Sequence, residues 1–319
     1  MTGEPRSSQT AGDRLATLAA WLAGGGWPAA GVLAAAALAL LVSLLLPLAV
    51  LLLPLALACN VAAVALLALE TSAAATLRCL LLSALLLAPL MLMGVGLLGP
   101  ALLFAWLPGL ATATVLRSSR SLPLALLVLT AIAVAVVLFV QMSGLPAGQP
   151  QGREALVENL RQFYPRVPAA ELHDALGVLS QLAGGLLAVV LLSAWSGGLA
   201  LGRSLQARLR RPGAFAQEFR ALRFGRVYGW LLLPVVAAAA IWGLAGDGIA
   251  IELALVLAVP AVLQGLALVH AETARRGWWP RLPWVVYVLL ALATPQVAVL
   301  LGLMGLLDNW LDFRGRPLR

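Results

Sequence analysis

Long apolar runs separated by short polar connections fill the chain from about residue 27 to residue 307. Runs of about 20 residues match the length that an α-helix needs to cross roughly 30 Å of hydrocarbon. The pattern predicts an all-α fold, a polytopic transmembrane helix bundle of about eight or nine spans. A single transmembrane domain, 28–307, would lie between a cytoplasmic N-terminal segment, 1–27, and a polar tail, 308–319.

The breaks between the apolar runs give nine predicted spans. They are 28–46, 48–69, 80–98, 101–116, 122–142, 176–201, 227–246, 249–270 and 283–307. Two of these boundaries have alternatives. The prolines at 47 and 54 either separate two spans or kink one long helix over 28–69. Pro295 either lies within the last span or marks a re-entrant turn.

Outside the spans, two further amphipathic elements are predicted. A short interfacial helix carrying Trp21 is expected over 15–22, before the glycines at 24–26. Segment 143–175 mixes acids, arginines and apolar positions at helical spacing. It is either an amphipathic hairpin on the outer face or a solvated connector.

The stretch from Arg203 to Arg226 is the strongest topological signal, with seven arginines against one acid, Glu218. Connections rich in arginine stay on the cytoplasmic side of a membrane. The stretch is therefore predicted to face the cytoplasm of a bacterial inner membrane, with the N-terminus on the same side. Its apolar and basic positions predict an amphipathic helix on the inner leaflet, with Phe215, Phe219 and Leu222 against Arg220, Arg223 and Arg226.

Nine full crossings place the C-terminal tail outside, where its three arginines oppose the charge rule. These arginines are Arg314, Arg316 and Arg319. A re-entrant turn at Pro295 would instead return the tail to the cytoplasmic side. One kinked crossing over 28–69 would move the N-terminus outside and leave the tail outside. The sequence leaves these three topologies open.

Composition and motifs exclude several classes of protein. With 62% hydrophobic and 11% charged residues and a mean hydropathy of +0.98, the chain is far from a soluble composition. The net charge of +8 is assigned to membrane orientation rather than to nucleic acid, because the arginines lie at helix ends. No nucleotide-binding or hydrolase motif is present, so neither an enzyme nor a cofactor is expected.

Metal and disulfide chemistry is not expected either. Cys59 and Cys79 lie in apolar context and are interpreted as small hydrophobic residues. His173 and His270 are far apart and have no cysteine or acid cluster at ligand spacing.

Ionisable and polar residues within spans are the candidate functional residues, because they are expensive to bury in lipid. Glu252 is the best of them, although about 7 Å of helix rise from Asp247 leaves its carboxylate within expected reach of the interface. Gln264 and Gln296 lie deeper. Gln296 follows Pro295, which would free a backbone carbonyl; a polar contact between helices is the alternative.

Charged residues at the ends of spans are candidates for docking or pairing. Asp308 and Asp312 are spaced i, i+4 on one face of the last helical turn. They are predicted to pair with arginines of another loop rather than to bind a metal. Arg220 and Arg223 belong to the basic stretch, which is a candidate docking surface.

Two segments resemble the YybS-like family of bacterial polytopic membrane proteins. GLMGLLDNWLDFRGR, 302–316, resembles the ending of that family, and EFRALRFGRVYGWLL, 218–233, resembles its Phe/Arg-rich element before a tryptophan-bearing helix. The connection near Glu70, ETSAAATLR, departs from the family pattern. The family is similar to the S components of energy-coupling-factor transporters and to the cell-shape protein MreD.

This resemblance implies two functions that stay open at the level of sequence. One is an S-component-like solute binder that relies on a partner transport module for energy; Ala35 and Ala39 match the small-residue spacing by which S components dock. The other is a membrane scaffold or assembly partner of the cell-envelope or cell-shape machinery. In both, the lipid bilayer and partner proteins are the expected contacts.

Overall fold

The computed structural model describes residues 11–45, 49–93, 98–143, 158, 161, 167–242, 248–277 and 279–315. These residues form thirteen α-helices. They are α1 (Ala11–Gly24), α2 (Gly26–Leu45), α3 (Ala49–Glu70), α4 (Ala73–Leu92), α5 (Leu98–Ser119), α6 (Leu122–Met142), α7 (Ala169–Gln181), α8 (Ala183–Arg210), α9 (Ala214–Arg220), α10 (Gly225–Trp242), α11 (Gly248–Arg276), α12 (Leu282–Leu292) and α13 (Thr294–Leu311). A short 3-10 helix, Phe313–Gly315, follows α13.

Seven of the described helices are long and apolar enough to cross a membrane: α2, α3, α4, α6, α8, α10 and α11. The chain is therefore a multi-pass helical membrane protein. The expected count of eight spans needs either α5 or the α12–α13 pair in addition, and nine needs both. Most of the predicted outer hairpin lies outside the described residues, apart from α7 and single positions before it.

The chain divides into two compact units. The first consists of Met1–Leu129 and Ala194–Ala221, and the second of Thr130–Ser193 and Leu222–Arg319. Helices α6 and α8 each contribute residues to both units.

Within the first unit, α2 and α3 pack as an antiparallel pair. Leu33 shares a buried cluster with Val64 and Leu67, and further along α2 the Ala36 carbonyl accepts a hydrogen bond from Asn60 at 2.7 Å. Region 28–69 therefore forms two helices rather than one kinked helix, as the first alternative predicted.

Helix α8 packs closely on α3 through two glycines. A Cβ added at Gly198 would lie 2.6 Å from the Ala58 carbonyl oxygen, and one at Gly202 would lie 2.8 Å from that of Ala62. Gly197, by contrast, has no neighbour within 4 Å. Small residues let helix backbones approach closely, and on α8 Gly198 and Gly202 do so.

The basic stretch has more helix and less loop than predicted. Helix α8 continues to Arg210, so the first arginines of the stretch lie on this helix. The residues between them include Leu, Gln and Ala, which are good helix formers. The Arg203 guanidinium pairs with Glu218, and that of Arg210 lies 2.6 Å from Glu70. The predicted amphipathic helix is only α9, which ends at Arg220.

Within the second unit, α11, α12 and α13 form an out-and-back arrangement. Helix α12 returns along α11, since the Tyr287 hydroxyl lies 3.0 Å from the His270 ring. Helix α13 then runs parallel to α11. Gly265 packs on the backbone of Leu301, and near the helix ends Arg275 donates to the Arg314 carbonyl at 3.0 Å.

The predicted final span, 283–307, is thus broken in two. Helix α12 ends at Leu292, and Ala293 has non-helical φ and ψ angles of −131° and 52°. Pro295 explains the break, because it provides no N–H for the carbonyl four residues earlier and its ring would clash with that carbonyl, whereas proline is tolerated in the first turn of α13. The start of the tail consequently lies at the end of α11 that carries Arg275.

Candidate functional site

Glu252 lies in the first turns of α11, where α6 and α8 pack against it. Its side chain is completely buried. The Gln141 side-chain amide donates to Oε2 at 2.7 Å, and the Gly185 backbone N–H donates to Oε1 at 2.8 Å. We call Glu252, Gln141, Gly184 and Gly185 the Glu252 site.

The two glycines allow α8 to approach the carboxylate. A Cβ added at Gly185 would lie 2.7 Å from Cα of Glu252, and one at Gly184 would lie 3.0 Å from its Oε1. The first N–H groups of a helix have no partner within the helix, so Gly185, the third residue of α8, is free to donate to Glu252. The positive end of the α8 dipole also favours a negative charge at this position.

No described residue supplies a positive charge to Glu252. Helix α6 has no ionisable side chain, and α8 has none before Arg203. Both hydrogen bonds come from neutral groups, an amide side chain and a backbone N–H. A carboxylate can accept about four hydrogen bonds, so the two donors among the described residues leave part of the acceptor capacity of Glu252 unused.

This arrangement corrects one expectation and adds two residues. The Glu252 side chain is completely buried rather than exposed at the end of its span, since Gln141 of α6 and Gly185 of α8 contact its carboxylate. Gln141 and Gly185 were not predicted as site residues. Gln141 had a weak signal, as a polar residue at the end of an otherwise apolar span, whereas nothing distinguished Gly185 among the thirty glycines of the chain.

A second polar group in the same unit joins the start of α10 to the end of α13. We call Arg223, Asp308, Asp312 and Arg314 the Arg–Asp cluster. Asp308 is buried; its carboxylate lies 3.2 Å from the Arg223 guanidinium and 3.2 Å from that of Arg314. Arg223 also pairs with the exposed Asp312. Two carboxylates thus face two guanidiniums. Arg223 is a partner from another loop, as predicted, whereas Arg314 belongs to the same chain end as Asp308.

The pKa shifts at the helix ends follow from these pairs. The hydrogen bond from Arg223 lowers the pKa of Asp312 below its ordinary value. The hydrogen bond to Asp308 is the largest cause of the raised pKa of Arg223. Burial is the largest cause of the lowered pKa of Arg314. The Arg–Asp cluster is therefore internally compensated in charge.

Gln264 lies next to this cluster and links three elements. Its side-chain oxygen accepts from the Phe224 N–H at 3.1 Å, and its nitrogen donates to the Asn309 side chain at 3.0 Å. Asn309 also accepts from the Gly225 N–H at 3.1 Å. Gln264 therefore caps the start of α10 and fastens it to α13, which fits a structural role.

The remaining candidates do not join either group. Gln296 is exposed in the first turn of α13. Its side chain is therefore not buried in a polar contact between helices, which was the alternative prediction. Arg220 is the last residue of α9 and is exposed. Within the described residues no cluster of three or more His, Cys, Asp or Glu is placed to hold a metal ion.

The two polar groups differ in what they leave available. The carboxylate of Asp308 is neutralised by guanidiniums, whereas that of Glu252 receives only neutral donors. An ionisable group inside a membrane protein is by default a candidate functional site. Glu252 is therefore the candidate functional residue that the geometry favours. The chain matches no protein-family model, no curated protein and no solved structure at a significant level.

Proposed function

We propose that the protein is a membrane component of a transport system and that Glu252 binds the transported species. That species is a small cation or a solute carrying a positively charged group. The burial of Glu252 among neutral donors carries this proposal, because a carboxylate removed from water is stabilised by a positive partner. Among the described residues the site offers one carboxylate and one amide side chain, and the proposed species is a monovalent or organic cation.

The local backbone supports the proposal. The helical path is interrupted at Leu182, between α7 and α8, immediately before the two glycines that meet Glu252. Transporters commonly place their binding groups at the ends of interrupted helices, where backbone groups are free to contact the substrate. The Gly185 N–H lies at such an end and donates to Glu252, so the Glu252 site combines an interrupted helix with a buried acid.

The proposed orientation puts the arginine-bearing ends of the helices in the cytoplasm of a bacterial inner membrane. If α5 also crosses and the α12–α13 pair is re-entrant, the N-terminus and the tail both face the cytoplasm. Only Arg153, Arg161 and Arg166 then lie outside, which agrees with the charge rule better than nine crossings do. Glu252, near the opposite end of α11 from Arg275, lies toward the outer side.

Energy would come from partner proteins. The resemblance to the YybS-like family remains a hypothesis, and with it an S-component-like architecture and a partner transport module. It is supported by the helical membrane fold and by the polar ending at 302–316, which takes part in the Arg–Asp cluster.

The proposal predicts that a cation stabilises the purified protein only when Glu252 is intact. The probes are the chlorides of lithium, sodium, potassium, ammonium, choline and spermidine at constant ionic strength. A ligand at one hundred times its Kd stabilises the folded protein by about 2.7 kcal/mol. We expect at least one probe to raise the apparent melting temperature of the wild-type protein, and we expect Glu252→Gln to abolish that response.

Glu171→Gln is the matched control, because it removes one exposed acid from α7 of the same unit. It should respond to the probes as the wild type does. An equal response of Glu252→Gln, or no response of the wild type to any probe, contradicts the proposed function. Mass spectrometry of compounds that co-purify with the wild type then identifies the natural ligand.

A scaffold in envelope assembly is the second candidate function. The observation that favours it is the surface of the basic stretch, where Arg208 and Arg211 are exposed, a suitable docking surface for an acidic partner. Envelope-assembly proteins that co-purify with the wild type, and are lost on Arg208→Glu with Arg211→Glu, would favour this function if no probe cation binds.

A further inference from the structure

We propose that an anionic phospholipid of the surrounding bilayer binds in a cavity between α11 and the α12–α13 pair. The cavity has a volume of about 360 Å³, which falls within the usual range of small-molecule sites, about 300–1,000 Å³. It is remote in sequence and function from the Glu252 site, since it lies at the other end of α11. This proposal does not depend on the proposed transport function.

The cavity is amphipathic along its length. Its walls are apolar and come from two parallel helices: Leu268 and Val269 of α11, and Met304 and Leu307 of α13. Charged side chains line it only toward the last turns of α11, where Glu272 and Arg276 are found. An apolar body with one charged end matches a molecule that has an acyl chain and a charged headgroup.

The charge at that end is positive. The Glu272 carboxylate bridges two guanidiniums, at 2.8 Å from Arg275 and 2.7 Å from Arg276. One carboxylate facing two guanidiniums leaves a net positive charge, and Arg281 at the start of α12 adds another. Basic pockets between transmembrane helices are typical binding sites for anionic lipid headgroups.

The charged end also lies at the depth of the headgroups. Trp279 and Trp284 flank Arg281 and are 57% and 73% exposed. Exposed tryptophans beside arginines mark the boundary between hydrocarbon and water. An acyl chain in the cavity would therefore run toward the middle of the bilayer while its phosphate stays at the level of Arg276. A lipid of the same leaflet is placed to enter in this orientation.

The test measures lipid retained by the full-length protein in nanodiscs that contain equal amounts of phosphatidylglycerol and phosphatidylcholine with the same acyl chains. After transfer to detergent, native mass spectrometry counts each lipid bound. We expect the wild type to retain phosphatidylglycerol preferentially. Because one arginine near the membrane surface contributes about a fivefold change in lipid binding, Arg276→Gln should reduce that retention about fivefold.

Met304→Trp should displace the acyl chain, because its larger side chain fills the cavity from a position that is already 43% exposed. Leu307→Trp is a second filling variant in case the first does not fold. Leu303→Trp and Arg208→Gln are matched controls on exposed residues that do not line the cavity, and both should retain lipid as the wild type does.

Three results would overturn the assignment. They are equal retention of the two phospholipids by the wild type, unchanged retention by a folded filling variant, and preferential retention of oleate when sodium oleate is added as a competitor.

Discussion

Asp308→Ala is expected to lower the free energy of unfolding by about 3–5 kcal/mol, the usual cost of removing one partner from a buried ion pair. The reason is geometric, since the Asp308 carboxylate lies 3.2 Å from both Arg223 and Arg314. Removing it leaves two guanidiniums facing each other without a buried counter-ion. The measurement is reversible unfolding by SDS in mixed micelles, followed by circular dichroism.

Asp312→Ala is the matched control for Asp308→Ala. Asp312 pairs with the same guanidinium, but its side chain is 60% exposed whereas that of Asp308 is completely buried. Exposed pairs contribute little, so this variant should unfold close to the wild type. Equal losses for the two aspartates would show that Arg223 is held by general attraction and not by the buried carboxylate.

Gly305→Ala is the second change with a large expected effect. The added methyl group would collide with the Ala261 carbonyl oxygen and with the Gly265 nitrogen, 2.6 Å away, and both are backbone atoms. Overpacking costs about 1–3 kcal/mol where side chains can relax. Here two helix backbones must separate, so we expect the free energy of unfolding to fall by an amount at the top of that range or above it.

Gly302→Ala is the control on the same helix, one turn earlier. Its added methyl group would meet only a Val262 methyl carbon at 3.6 Å, which is ordinary van der Waals contact. Alanine also favours a helix over glycine by about 1 kcal/mol, so this variant should be neutral or slightly more stable. If Gly305→Ala and Gly302→Ala have the same free energy of unfolding, α11 and α13 are not in backbone contact at Gly305.

These two predictions concern contacts that sequence patterns identify only in part. The pairing of Asp308 with an arginine of another loop followed from charges at a span end. That Arg223 and Arg314 are the partners did not, because eighty-five positions separate Arg223 from Asp308. Likewise, small residues three or four apart indicate that a helix packs closely, but the spacing does not say which glycine makes the contact. Of the adjacent Gly197 and Gly198, only Gly198 lies against another backbone.

Helix positions were predictable where hydrophobic run length alone decides them. Regions 28–69 and 122–142 gave helices close to the predicted bounds, because an apolar run in lipid must satisfy its backbone internally. The predicted break at residue 203 did not occur, since arginine marks a membrane side but does not end a helix. The break at Leu182 was not predicted, because no proline lies near it in the sequence.

The Glu252 site was the least predictable feature. A buried acid near the start of a span was visible, but its burial depends on Gln141 and Gly185, which belong to other helices. Sequence spacing does not relate residues on three separate helices. The expectation that the acid reaches the interface used only its helix rise from Asp247, about 7 Å, whereas packing buries the side chain completely.

We propose that the arginine-bearing helix ends, including the tail, share the cytoplasmic side while Glu252 lies toward the other side of the membrane. The direct test is labelling of single cysteines with a membrane-impermeant maleimide in intact inverted and right-side-out vesicles. Cys59 and Cys79 are first replaced by alanine, and cysteine is then placed at Arg211, at Arg281, after Arg319, or at His173 of α7. We expect the first three to label only in inverted vesicles and His173→Cys only in right-side-out vesicles. Labelling of the cysteine after Arg319 together with His173→Cys would contradict the re-entrant pair and the orientation built on it.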